Sequence, residues 1–361
     1  MNGPATSALS GRGLLGRKGE KILSAEAEVC ALPMRRSFRN GRFEVKHREV
    51  ALLRVRWLLP EGERWSLGEV APLPGWSRES LEECLDGLVA FSRELDLAIL
   101  EKLPALRWGL EMSRFLVDLL AEEQNRDQDG PQEVLIPCQL AVGLTKEDLL
   151  FETIERALVQ GFKTLKLKVG GRPWQEEIKI LVALRERFPS VGLRLDGNQS
   201  FSLEDAQAFL NALSGLQVQF FEEPVKCKRL DELAALGRES AIPLGADESL
   251  QNVDTVGAEN LVGIGALILK PGSLGGIDRC RGLGASAKKA GVPVVMSTLL
   301  ESALGRHILA ELAYEWQLTG PQGLATGGLF ESDLFSVPLS SGSYELLQGR
   351  RALARFHGEV F

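Results

Sequence analysis

The sequence has no run of about 18 apolar residues, so no membrane-spanning helix is expected anywhere in it. It has no surplus of positive charge either. The net charge is −7 and the isoelectric point about 5.4, which argues against broad attraction to nucleic acid or anionic lipid. Cysteine is sparse: Cys30, Cys84, Cys138, Cys227 and Cys280 stand far apart without CxxC spacing. That excludes a disulfide frame and a cysteine-based zinc site, and points to small buried hydrophobes in a reducing, cytoplasmic compartment. The three histidines, His47, His307 and His357, do not cluster and are expected in surface or packing roles. The N-terminal stretch holds Gly, Ser and a few basic residues but no long apolar segment of the signal-peptide kind, and residues 1–25 read as a tail without function. No GxGxxG follows the first strand of the repeating part, which weakens a dinucleotide-binding reading.

What is present is an ordinary globular mix over 361 residues, 44% hydrophobic and 25% charged, long enough for two domains or a large barrel with an attachment. Residues 26–130 read as an α+β domain. Phe43-Glu44-Val45 and Val50 to Trp57 look like antiparallel strands, with Asn40-Gly41 as a hairpin signal. Ser77 or Ser80 opens a helix, and helical periodicity returns over Arg107 to Leu120. The polar run Asn125 to Pro131 marks a boundary.

From 131 to 320 short apolar strands alternate with amphipathic helices. The strands are expected over Val134–Val142, Thr164–Val169, Val191–Asp196, Val218–Glu222, Ile242–Ala246, Ala266–Lys270 and Val292–Ser297, with an eighth near 318–326. Repeated βα units imply a parallel sheet, and this number implies an α/β fold of the (β/α)₈ barrel type. Residues 321–361 supply the last strand and a segment packing against the first domain.

The ends of these strands carry the chemistry. They fall at Lys168, Asp196, Glu222, Asp247, Lys270 and Ser297, at intervals of 28, 26, 25, 23 and 27 residues by subtraction. A barrel brings all such ends to one rim. Asp196, Glu222 and Asp247 are three hard oxygen donors that would repel one another unless a cation joined them. Without His or Cys the set favours Mg²⁺, with Mn²⁺ as alternative. The bland alternative is a set of salt bridges to Lys166, Lys168 and Lys270. In Glu222-Glu223, strand alternation puts Glu222 with Phe220 and Val218 and turns Glu223 away. Asp247 is preferred to Glu248, which becomes a supporting residue, as does Asn198. Arg194 shares the parity of Asp196 and should face the pore, as substrate contact or structural pair. A lysine is a base only when neutral, so Lys168, next to Lys166 and a cation, is expected to have its pKa lowered from about 10.4 toward neutrality. A base facing a metal-bound carboxylate suits abstraction of an α-proton.

In this order Lys166-x-Lys168, Asp196-x-Asn198, Glu222-Glu223-Pro224, Asp247-Glu248-Ser249 and Lys270-Pro271 resemble the enolase superfamily, muconate-lactonizing subgroup. Gly68 to Ser77, Leu193 to Asn198, Lys270 to Gly276, Met296 to Gly305 and Gly323 to Thr326 resemble most the o-succinylbenzoate synthase family within it. The resemblance spans about 26–361 and implies a modified TIM barrel under an α+β cap. It implies Mg²⁺-dependent syn dehydration of a small-molecule carboxylate through an enediolate. Lys168 would then take the α-proton and return it to the departing hydroxyl, and Lys270 would steady the enediolate from the other face. Lys166 would tune Lys168 or touch the carboxylate, and Ser297 and Thr298 would contact the succinyl carboxylate or hold their loop. Ala325 stands where many relatives carry Asp, and Gln199 where some carry Arg. The competing readings are a racemase of N-acylamino acids or a dipeptide epimerase using Lys168 and Lys270 as two bases, and a barrel kept for binding alone, against which the full set of charged strand ends speaks.

Overall fold

The computed structural model describes residues 13–35, 37–39, 44–124, 133–143, 147–253, 256–337 and 339–361. The expected Asn40-Gly41 turn, Phe43, the boundary at Asn125 to Pro131 and the helix start at Lys146 lie outside them. The cap is a three-stranded antiparallel sheet in the order β1 (Lys21–Leu32), β2 (Arg48–Leu59), β3 (Gly62–Val70). On β2 the residues Ala51, Leu53, Val55 and Trp57 are buried and face a core shared with α1 (Leu81–Glu94) and α2 (Pro104–Gln124). Helix α1 starts at Ser80, whose hydroxyl accepts from the Glu83 amide while the Glu83 side chain accepts from the Ser80 amide, a reciprocal cap. Helix α2 lies so close on β3 that a Cβ at Gly68 would stand 2.0 Å from the Gly109 carbonyl oxygen. Only glycine permits that approach.

Of the stretch expected to be a tail, residues 13–25 are described, and they are joined to the folded chain. Strand β1 already begins at Lys21, Leu14 is buried, and the Glu20 carboxylate binds Arg114 through contacts of 2.6 and 2.8 Å. One apolar side chain and one acid anchor a stretch whose composition looked like a linker.

Seven parallel strands follow in the order of the chain: β4 (Gln139–Gly143), β5 (Thr164–Lys168), β6 (Gly192–Asp196), β7 (Val218–Glu222), β8 (Leu244–Ala246), β9 (Ile264–Leu269) and β10 (Val294–Met296). The expected strand Val134–Val142 is split after Pro137, which has no N–H to give to a ladder. Its first part, Leu135–Pro137, pairs antiparallel with Ser343–Glu345 instead. The eighth position holds no full strand. Gln322 bridges to Cys138 and Gly323 to Ser297. Four backbone bonds of 2.7–3.3 Å, Gln139 N to Gln322 O, Gln322 N to Pro137 O, Gly323 N to Met296 O and Thr298 N to Gly323 O, join the two sheet edges. A Cβ at Gly323 would lie 2.6 Å from Ser297 Oγ, 3.0 Å from its Cβ and 3.2 Å from its Cα, so this seam favours glycine.

The outward residues Leu165, Leu167, Leu193 and Leu195 join the core beneath the helices, while Phe220, Ala266, Ile268 and Val295 form a small core inside the barrel. The pairing of β6 with β7 shifts between Val218 and Phe220. The shift puts Val218 in the outer core, not beside Phe220 as simple alternation required.

The C-terminal helix α4 (Leu346–Val360) is tied to α3 (Ala303–Glu315) by Arg350, which grips Glu311 through two bonds of 2.6 Å, both residues being buried. Arg350→Met is expected to lower stability by about 3–5 kcal/mol, since it leaves a buried acid without its main counter-charge. The urea midpoint checks this, and a change below 1 kcal/mol would mean that water reaches Glu311.

Candidate active site

Inward alternation on β5 sends Lys166 and Lys168 into the barrel, where their neighbours on β6 are Arg194 and Asp196. Asp196 is in turn level with Glu222 on β7. The Lys166 ammonium lies 2.7 and 2.8 Å from the two Glu222 oxygens and 2.9 Å from Asp196 Oδ2. Lys270, just past β9, bonds to Asp247 Oδ2. Lys168 stands 4.4 Å from the centroid of the Phe38 ring, and Lys270 4.0 Å from that of Trp76. β5 and β9 are four staves apart, so in a ring of eight the two lysines face each other across the mouth.

The electrostatics follow from this packing. Burial alone would lower Lys166, but Asp196, Glu222 and Asp247 outweigh it and hold the ammonium firmly protonated. Lys270 is likewise raised, burial being overcome chiefly by Asp247. Lys168 is pushed down to about 8, first by burial and then by Lys166 and Lys270, against the pull of Asp196. Asp196 is lowered because Lys166 and Lys168 overcome its burial. Glu222 rises to about 8 through burial and the crowding of Asp196 and Asp247, against Lys166. Of the Lys166–Glu222 pair, the charged lysine is the direction that follows from three acids around one ammonium.

The salt-bridge alternative is thus present in part. Two of the three lysines are paired with the three carboxylates, and among the described residues no three acid, imidazole or thiol side chains are grouped ready to enclose an ion. The donor chemistry still fits a hard divalent cation. Three buried carboxylates on successive strand ends supply only oxygen, and the raised Glu222 marks incompletely balanced negative charge.

Glu223 is turned away, as alternation required. Its Oε1 accepts from the Asp247 amide at 2.9 Å and from the Ser249 amide and hydroxyl at 2.8 and 2.6 Å, so it braces the Asp247 loop. Gln199 also donates to it at 3.1 Å. Asn198 lines the cavity, and its amide donates to Asp196 Oδ1 at 3.1 Å. Glu248 is buried beside Asp247, and burial and Asp247 raise its pKa strongly. Ser297 and Thr298 line the cavity, with Thr298 Oγ1 3.1 Å from Thr326 Oγ1. Ser302 caps α3 by accepting from the Leu304 amide, and Ala325 is part of the cavity wall.

Arg194 is the exception. It faces the pore but stops below the cavity, held by Gln139 Oε1 at 2.7 Å, Gln219 Oε1 at 2.8 Å and the Pro321 carbonyl at 2.7 Å, over the Phe220 ring. Level with Lys166, it is held on the barrel floor by these three partners and is not part of the cavity wall. Three wall residues had no expected role: Phe38 from the cap, and Gln139 and Ala141 on β4. An aromatic amid basic residues at 35–39 was the one available signal for Phe38.

Comparison with known proteins agrees with this arrangement. The family described as Enolase C-terminal domain-like matches residues 150–334. An o-succinylbenzoate synthase of Edwardsiella ictaluri is 32% identical over 82% of this chain and 88% of its own length. One from Vibrio cholerae is 30% identical over 76% and 82%. Among solved structures, the L-Ala-D/L-Glu epimerase of Bacillus subtilis superposes with a TM-score of 0.75 at 21% identity, covering 90% of this chain and 96% of its own. A dipeptide epimerase of Enterococcus faecalis complexed with Mg and a dipeptide gives a TM-score of 0.75 at 21% identity, over 90% and 97%. By these matches and by its capped barrel, the chain belongs to the enolase superfamily, and within it to the o-succinylbenzoate synthase family.

Proposed function

We propose that this enzyme is a carbon–oxygen lyase that dehydrates 2-succinyl-6-hydroxy-2,4-cyclohexadiene-1-carboxylate to 2-succinylbenzoate, a cytoplasmic step of menaquinone biosynthesis. The single observation that carries the reading is the unequal pair of lysines across the cavity, Lys168 lowered to about 8 and Lys270 raised. Lys168 is the one partly neutral amine near pH 7–8, and takes the α-proton. Lys270 stays an ammonium on the opposite side and faces the negative charge that develops on the carboxylate. The proton held on Lys168 Nζ then passes to the hydroxyl on the same face, which leaves as water, and the ring becomes aromatic. Lys166 keeps its charge between Asp196 and Glu222 and so disfavours a second ammonium on Lys168. Phe38 and Trp76 cover the two amines and keep water from them.

Asp196, Glu222 and Asp247 would hold a magnesium ion, with manganese as substitute, which supplies Lewis-acid stabilisation of the substrate carboxylate. To admit it, Lys166 and Lys270 must release part of their contacts. The test is the absorbance change on aromatisation of the cyclohexadiene. Absence of turnover by the Mg²⁺-loaded protein would end this reading.

The epimerase reading keeps a place because both lysines reach the same cavity. It requires Lys168 and Lys270 each to exchange the α-proton of an N-acylamino acid or dipeptide in D₂O. Inversion of such substrates by the Mg²⁺-loaded protein would favour the epimerase.

A further inference from the structure

Arg48 lies at the start of β2 in the cap, 1% exposed. An arginine cannot shed its charge there, and burial of a cation demands hydrogen bonds. It makes five, all to backbone carbonyls. Nε donates to Leu300 O at 3.0 Å, one terminal nitrogen to Pro72 O at 2.7 Å and Glu49 O at 3.2 Å, and the other to Ala71 O at 2.6 Å and Leu299 O at 3.2 Å. The fork therefore joins the cap segment 71–72 to the barrel loop 299–300.

Both segments build the cavity. Leu299 and Leu300 form part of its wall, and Leu73 and Trp76 follow directly from the cap side. Leu300 has φ +59°, a left-handed conformation that leucine adopts only when its surroundings impose it. Its carbonyl is the one that Arg48 Nε captures. The loop is fastened again just beyond, where Glu69 accepts from the Ser302 amide at 2.7 Å, the Ser302 hydroxyl at 2.6 Å and the Gly305 amide at 2.9 Å. Around the fork, Leu32, Val45, Val50 and Phe330 close a separate apolar cluster with Leu299 and Leu300. A buried cation with four of its five hydrogen bonds spent on two loops from different domains is a joint, placed where the wall of the site is made from both.

We infer that Arg48 is a positioning residue for the dehydration. Its guanidinium fixes the strained Leu299-Leu300 turn against the cap and so sets the shape of the substrate cavity. This rests on the functional reading above for its kinetic consequence, but not for its structural one.

The experiment uses the full chain with Arg48→Met and the milder Arg48→Lys, which keeps the charge but has three donors on one point and no planar fork. KM for the cyclohexadiene is expected to rise at least tenfold in both, with kcat within about threefold of the parent, because Lys168 and Lys270 stay in place. Amide exchange followed by mass spectrometry is expected to quicken at least tenfold in peptides covering 70–76 and 297–302, and to stay unchanged over β5 and β6. A KM within twofold of the parent in Arg48→Lys, with exchange at 297–302 unaltered, would overturn the inference. So would a uniform rise in exchange over the whole chain, which would mark Arg48 as a general stability residue. If the parent protein fails to dehydrate the cyclohexadiene, the functional reading falls, and the exchange measurement alone decides whether Arg48 holds the wall.

Discussion

Replacing Lys168 by alanine is expected to reduce turnover of the cyclohexadiene by about 10²–10⁴-fold, the contribution of a positioned base, with KM changed far less. The argument rests on division of labour among three amines. Lys166 is committed to Asp196 and Glu222, and Lys270 to Asp247. Neither can take over proton abstraction without leaving a buried carboxylate exposed to its neighbours. The pH profile carries the sign. The reactive form of Lys168 is the neutral amine, so kcat/KM is expected to climb as pH rises through about 8 and then level. Bound Mg²⁺ adds positive charge and moves that limb lower. The same group affects stability in the matching direction. Its folded pKa is below the unfolded value, so the unfolded chain binds more protons between about pH 8 and 10.5, and the cost of burying the ammonium fades as pH rises through that window. A profile without this limb, or an alanine variant that keeps its rate, would remove Lys168 from the chemistry.

Chelation gives the second large effect. Stripping the protein of divalent ions is expected to abolish turnover, since the carboxylate stabilisation supplied by a Lewis acid is several kcal/mol and each 1.4 kcal/mol is a tenfold change in rate. A readout independent of activity accompanies it. Mg²⁺ at a hundred times its Kd is expected to stabilise the folded chain by about 2.7 kcal/mol. That gain should vanish in Asp247→Asn and shrink in Asp196→Asn. The thermal midpoint with and without Mg²⁺ measures this. An identical shift in Asp247→Asn would place the ion elsewhere. Competition with the Lys166 ammonium for Asp196 and Glu222 would show as a higher Kd for the ion.

Much of the site was legible because a barrel turns linear spacing into convergence. Lys168, Asp196 and Glu222 end their strands, Asp247 and Lys270 directly follow theirs, and the five meet at one end of the barrel. Parity also told Glu222 from Glu223, since one faces Lys166 and the other Ser249. Parity could not give depth. Arg194 faces inward but stops below the cavity, held there by Gln139, Gln219 and the Pro321 carbonyl. Nor could it foresee the slip at Val218, where one residue is spent in a bulge. The contribution of the cap was hardest to see. Phe38 meets Lys168 across a distance in sequence that no local pattern spans, and the burial of Leu14 comes from a partner surface that a glycine-rich stretch does not announce.

The two-residue closure at Gln322 and Gly323 has an evolutionary consequence. Gly323 is fixed by its contact with Ser297, but Leu324, Ala325 and Thr326 owe nothing to a strand ladder. Ala325 and Thr326 nevertheless look into the substrate cavity. New side chains at 325 can therefore alter the substrate range without disturbing register anywhere in the sheet, and an acquired specificity would leave the rest of the scaffold untouched.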